Sequence, residues 1–236
     1  MASRLRAFCV LCLLCAGPLA LCIRAGDVAS KKLLCEHTRY RYLLYAPESK
    51  SPLPAILLLH GAGDQPDPMI DAWKHLAKKE GIALIAPELP RVAAFESVAP
   101  KVFRCIVEDA KQNVSLDPLR IYVFGHSMGG YLGYDAAMLE SRYFAAAAIH
   151  AMAIAPEYTW IVGRAERKTP VAIYIGDRDQ FIPLDQTRQT RDLLLKEDFI
   201  VHYVEIKKHD HNYYALSESI NADAWNFLKE KTLPNL

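Results

Sequence analysis

The chain has almost no excess of charge of either sign: 28 lysines and arginines stand against 27 aspartates and glutamates, without a long basic or acidic block. That balance excludes the usual electrostatic footprint of a nucleic-acid binder or of a protein that sits on an anionic membrane surface. Internal repeats and low-complexity tracts are absent as well, which excludes repeat arrays. Cysteines with metal-ligand spacing are missing beyond the N-terminal segment, where only Cys35 and Cys105 remain, so neither a metal nor an organic cofactor is expected. These two either form one disulfide, tethering the N-terminal extension to a helix around residues 102–107, or stand as two buried thiols. The uninterrupted apolar run of a bilayer span is lacking too, because residues 7–23 are broken by Gly17 and Pro18.

That N-terminal run has the layout of a targeting segment. Arg4 and Arg6 give a positive start, and Ala20 and Ala25 offer small residues for cleavage. A signal peptide over residues 1–25 is the expectation, with a secreted or periplasmic protein as its consequence and a retained anchor as the alternative. A lipid-modified Cys22 is disfavoured by the bulky Leu21 before it. Residues 26–236 then make a single domain, long enough to bury a sizeable core, and 52% of the chain is hydrophobic.

What is present is an alternation of short apolar runs and helical stretches. Strands are expected at residues 40–45, 54–59, 82–85, 120–124, 145–149, 171–176 and 200–206. Helices are expected at 68–79, 98–112, 128–140, 185–196 and 216–231. The pattern predicts an α/β fold with a mostly parallel sheet covered on both faces. The short segment 156–169 leaves little room for a lid, so the site should be open and shallow.

Four motifs carry chemistry. GHSMGG, from Gly125 to Gly130, joins an apolar strand to a small-residue helix. A serine at so sharp a turn has its hydroxyl raised above the sheet edge, next to the N–H groups of a helix start, and Ser127 is therefore the candidate nucleophile. HGAG at residues 60–63 ends another buried strand; the N–H groups of Ala62 and Met128 are the candidate donors for a developing oxyanion. His60 is read as a structural residue that pins this loop. GDRDQFIP at 176–183 supplies a carboxylate at a strand end; its spacing favours Asp179, with Asp177 as the alternative. HDHNYY at 209–214 supplies a general base from His209 or His211, whereas His202 is a mid-strand surface residue. Trp160, Phe181, Tyr213 and Tyr214 either wall an acyl pocket or serve ordinary packing. Asn113 opens a glycosylation acceptor pattern, meaningful only in a host that glycosylates.

With these motifs in the order Ser127, Asp179, His211, the chain resembles the α/β-hydrolase family, and more narrowly the lid-less secreted esterases related to polyhydroxybutyrate depolymerases and feruloyl esterases. The S-formylglutathione hydrolases are a more distant likeness; in them a comparable Asp-His-Ser-Tyr-Tyr run carries the catalytic histidine, which favours His211. The resemblance implies an α/β-hydrolase fold with a minimal lid or none, and a Ser–His–Asp triad that cleaves carboxylic esters, small or polymeric, through an acyl-enzyme. A serine peptidase on the same fold, or an inactive hydrolase fold used for binding, stays as the alternative.

Overall fold

The computed structural model describes residues 25–90 and 98–234. The expected targeting segment lies outside the described residues as far as residue 24.

The described residues form an 8-stranded sheet with the order β1-β2-β4-β3-β5-β6-β7-β8. The strands are β1 (Val28–Cys35), β2 (Thr38–Tyr45), β3 (Leu53–Leu59), β4 (Ala83–Pro87), β5 (Leu116–His126), β6 (Ala146–His150), β7 (Val171–Gly176) and β8 (Val201–Ile206). The helices are α1 (Pro66–Glu80), α2 (Lys101–Lys111), α3 (Met128–Leu139), α4 (Leu184–Lys196) and α5 (Ser217–Leu228). The pairs β1–β2 and β2–β4 are antiparallel and all other neighbours are parallel. This is the α/β-hydrolase fold.

The central strands are almost wholly apolar because both faces are covered. Every residue of β3, β4, β6 and β7 is buried. One core lies under α2, α3 and α4, with Phe103, Leu132 and Leu194 in it. The other lies under α1 and α5, around Trp73, Phe124, Tyr213 and Trp225. Trp73 meets Phe124 edge-on at 5.1 Å between ring centres. Burying one such side chain stabilises the fold by roughly 1.5–3 kcal/mol.

The sheet begins one strand earlier than the sequence pattern indicates. β1 is an edge strand that alternates exposed and half-buried residues and carries Lys31 and Lys32, so it offers no apolar run. It turns into β2 through Glu36 and His37, with φ of 49° and 66°. Two left-handed residues in a two-residue loop suit the right-handed twist of a hairpin. Cys35, the last residue of β1, forms a disulfide with Cys105 of α2, with Cα atoms 6.4 Å apart and a sequence separation of 70. Of the two sequence alternatives for this pair, the structure has the bridge. In the chain-entropy account, closing a loop of that length stabilises by about 4 kcal/mol.

Segment 156–169 holds a 3-10 helix, Pro156–Arg164, instead of an inserted domain. Strands β3 to β8 all end at the same edge of the sheet, and the chemistry-bearing loops gather there.

Candidate active site

Ser127 stands between β5 and α3 with φ 52° and ψ −120°. A non-glycine residue there is strained and persists only where its surroundings enforce it. The enforcement comes from close backbone contact. A β-carbon on Gly125 would collide with the carbonyl of Gly129, and one on Gly129 would collide with the carbonyl of Leu59. The second approach seats the start of α3 against the end of β3, where the loop with Ala62 begins. The Met128 N–H is the first of α3, where helix geometry provides no internal acceptor. The Ser127 N–H itself donates to the His150 carbonyl at 3.0 Å.

His211 reaches Ser127 from the loop after β8. Its Nε2 lies 2.8 Å from Ser127 Oγ, and its Nδ1 lies 2.8 Å and 3.0 Å from the two oxygens of Asp179. With Nδ1 carrying the hydrogen for Asp179, Nε2 is free to accept from the serine hydroxyl. The Asp179 side chain is fully buried. Burial alone would raise its pKa, but hydrogen bonds from His211 and from the N–H groups of Ile182 and Phe181, the latter two at 2.9 Å, hold it below the ordinary value.

The structure separates the alternatives. Asp177 is exposed and accepts from the Lys208 N–H at 2.6 Å, which joins the aspartate loop to the histidine loop instead of tying its own turn. His209 turns away from Ser127 into the interior, where its Nε2 lies 3.2 Å from His150 Nε2. His60 is 2% exposed. Its Nε2 accepts from the Leu89 N–H at 3.0 Å, so the hydrogen sits on Nδ1 and is donated to the Gly61 carbonyl at 2.9 Å. In a trans peptide this aims the Ala62 N–H the opposite way from the held carbonyl. Burial, the largest influence, lowers the His60 pKa.

The aromatic candidates divide. Tyr213 is fully buried and donates to Asn221 Oδ1 at 2.6 Å, so it packs. Tyr214 donates to Asp64 Oδ2 at 3.1 Å, joining the histidine loop to the loop after β3. Phe181 is 67% exposed and meets His211 edge-on at 4.9 Å, while Trp160 is exposed on the 3-10 helix. His202, expected as a surface residue, keeps 39% of its side chain exposed and bonds Asp223 at 2.7 Å.

The sequence reading missed His126 and His150. Both are strand-terminal and buried beside the site; His126 stands inside GHSMGG, where a polar residue ending an apolar strand was the available signal.

Residues 56–225 match the model of the alpha/beta hydrolase family. No curated protein sequence matches the chain. Among solved structures, a fluorophosphonate-binding serine hydrolase of Staphylococcus aureus is similar with a TM-score of 0.75 and 15% identity, over 87% of this chain and 99% of that one. An S-formylglutathione hydrolase of the same organism has a TM-score of 0.71 and 18% identity, over 86% and 97%. A thermostable esterase has a TM-score of 0.68 and 18% identity over 87% of this chain, which spans 63% of its length. With the family model covering most of the fold just described, the chain belongs to the alpha/beta hydrolase family.

Proposed function

We propose that this chain is a secreted serine hydrolase that cleaves carboxylic esters. The observation that carries the reading is the unbroken hydrogen-bonded path from Ser127 Oγ through His211 to Asp179, built from three separate loops. His211 takes the hydroxyl proton as Ser127 attacks the ester carbonyl, and Asp179 holds the imidazolium that forms. The N–H groups of Ala62 and Met128 receive the oxyanion. Collapse expels the alcohol, protonated by His211, and leaves an acyl-enzyme. Water, deprotonated by the same histidine, then releases the acid and restores Ser127.

The short 3-10 segment in place of a lid, with Phe181 and Trp160 exposed, supports an open site able to admit small or polymeric esters. This fits the resemblance to polyhydroxybutyrate depolymerases and feruloyl esterases. The disulfide is in keeping with an exported protein.

The test is hydrolysis of short p-nitrophenyl esters beside Ser127→Ala. We expect loss of about 10⁴-fold or more in kcat and loss of covalent labelling by a fluorophosphonate. Equal rates in the two proteins would reduce Ser127 to a turn residue and overturn the reading.

A further inference from the structure

Three buried imidazoles stand behind the proposed catalytic residues. His126 is 6% exposed, His150 0% and His209 3%. His126 Nδ1 lies 3.0 Å from His150 Nδ1, and His150 Nε2 lies 3.2 Å from His209 Nε2. The row begins at the residue before Ser127, passes through the last residue of β6, and ends two residues before His211. Each end is also tied by backbone: the Ser127 N–H donates to the His150 carbonyl at 3.0 Å, and the Arg178 N–H to the His209 carbonyl at 2.9 Å.

A neutral imidazole carries one N–H and one acceptor nitrogen. Each N···N hydrogen bond holds one hydrogen, so the tautomers of the three rings are coupled. A neutral His150 between the two contacts has its one hydrogen on Nδ1 or on Nε2, and so donates to one neighbour and accepts from the other. Run from His126 to His209, the hydrogens sit on Nδ1, Nε2 and Nδ1 in turn; run the other way, they sit on Nε2, Nδ1 and Nε2, so in either direction His150 has the tautomer opposite to that of its two neighbours. The nitrogens are used up in pairs instead of converging on one point, and among the described residues no group of three His, Cys, Asp or Glu is arranged to hold a metal ion.

We propose that His126, His150 and His209 form a one-directional hydrogen-bonded row that fixes the spacing between Ser127 and His211, making the three positioning residues for the ester hydrolysis proposed above, on which this inference rests. The ring of His126 lies 5.1 Å from that of His211. A neutral row therefore places no like charge beside the imidazolium that His211 becomes during the reaction. Burial keeps it neutral: it holds His126 down at about 3, His150 well below its ordinary value, and His209 below it.

The test has two arms. In ¹⁵N-histidine-labelled protein near neutral pH, NMR should show His126 and His209 in one tautomer and His150 in the other, with signals assigned by single substitutions. A His150 that shares its neighbours' tautomer would overturn the row. In the second arm, His150→Phe should lower kcat by about 10–100-fold, the scale of a small misplacement of reacting groups, with KM within about 2-fold. His150→Gln, which keeps a donor and an acceptor, should recover part of that loss. Unchanged kcat in both variants, or a loss that only follows the fraction of folded protein, would overturn the positioning role. If His150→Phe fails to fold, His150→Gln against the parent decides. A parent protein inert toward esters would sink the functional reading, whereas the tautomer pattern tests the row by itself.

Discussion

The antiparallel corner and the edge of the sheet proposed above as catalytic are held together by different means. At the corner, β1 and β2 meet through a two-residue turn, and the Cys35–Cys105 disulfide fastens them to α2. Exposed ion pairs such as Lys101–Glu36, at 2.6 Å, sit around it and contribute at most about 1 kcal/mol each. At the other edge, the loops after β3, β5, β7 and β8 converge through Asp179, His211, His126, His150 and Tyr214 with hydrogen bonds in place of a covalent link. The corner gains stability by restricting the unfolded chain. The catalytic edge buries polar groups, which is favourable only while each has its partner. The first region should therefore respond to redox chemistry and the second to single side-chain changes and to acid.

The largest effect expected is at the catalytic edge. Asp179→Asn should lower kcat by about 10⁴-fold, because an amide does not hold His211 in the tautomer that accepts the serine proton. Asp177→Asn, two residues away, should change kcat by less than about 10-fold, since Asp177 only joins two loops. Comparable losses in steady-state kinetics would erase the distinction between the two aspartates.

Removing the disulfide with Cys35→Ser and Cys105→Ser together should cost about 4 kcal/mol in urea unfolding and leave kcat unchanged wherever the protein stays folded. A drop in kcat without loss of folded protein would show that the two regions are coupled.

The smallest effect is graded. His126 has an ordinary value of 6.5, lowered to about 3 chiefly by burial. Its contribution to stability is complete above about pH 6.5 and is lost as the pH falls toward about 3, by up to about 1.4 kcal/mol per pH unit. Asp179, also lowered, adds a loss further into acid, as the pH falls through its folded-state value. Unfolding free energies between pH 4 and 7 should carry this slope in both the parent and the disulfide-free variant. The lowered His150 and His209 add to this slope and the half-buried Asp135, raised to about 6, works against it below that pH, so His126→Gln should be shallower than the parent, and equal slopes would mean that His126 is charged in the folded protein.

The parallel half of the fold was legible in the sequence because fully buried strands read as apolar runs, and the end of α3 fell within one residue of expectation. β1 was not, because an edge strand with lysines gives no such run and its turn lacks glycine and asparagine. At the site, motif order singled out Ser127, Asp179 and His211, the three side chains that the structure brings together. The histidine row was not legible. His126, His150 and His209 lie on separate elements, and only the parallel register of β5 with β6, which sets His126 beside His150, brings the first two into reach. The link from Tyr214 to Asp64 was hidden for the same reason, since 150 residues separate the partners.

Ser127 is held at a left-handed φ that costs on the order of 1–3 kcal/mol for any residue with a side chain. Glycine alone escapes that cost, so at this position selection for folding and selection for chemistry point to different residues. A lineage released from the need for activity should drift to glycine at 127 and become more robust as it falls silent. An intact elbow with its serine gone would mark such a descendant.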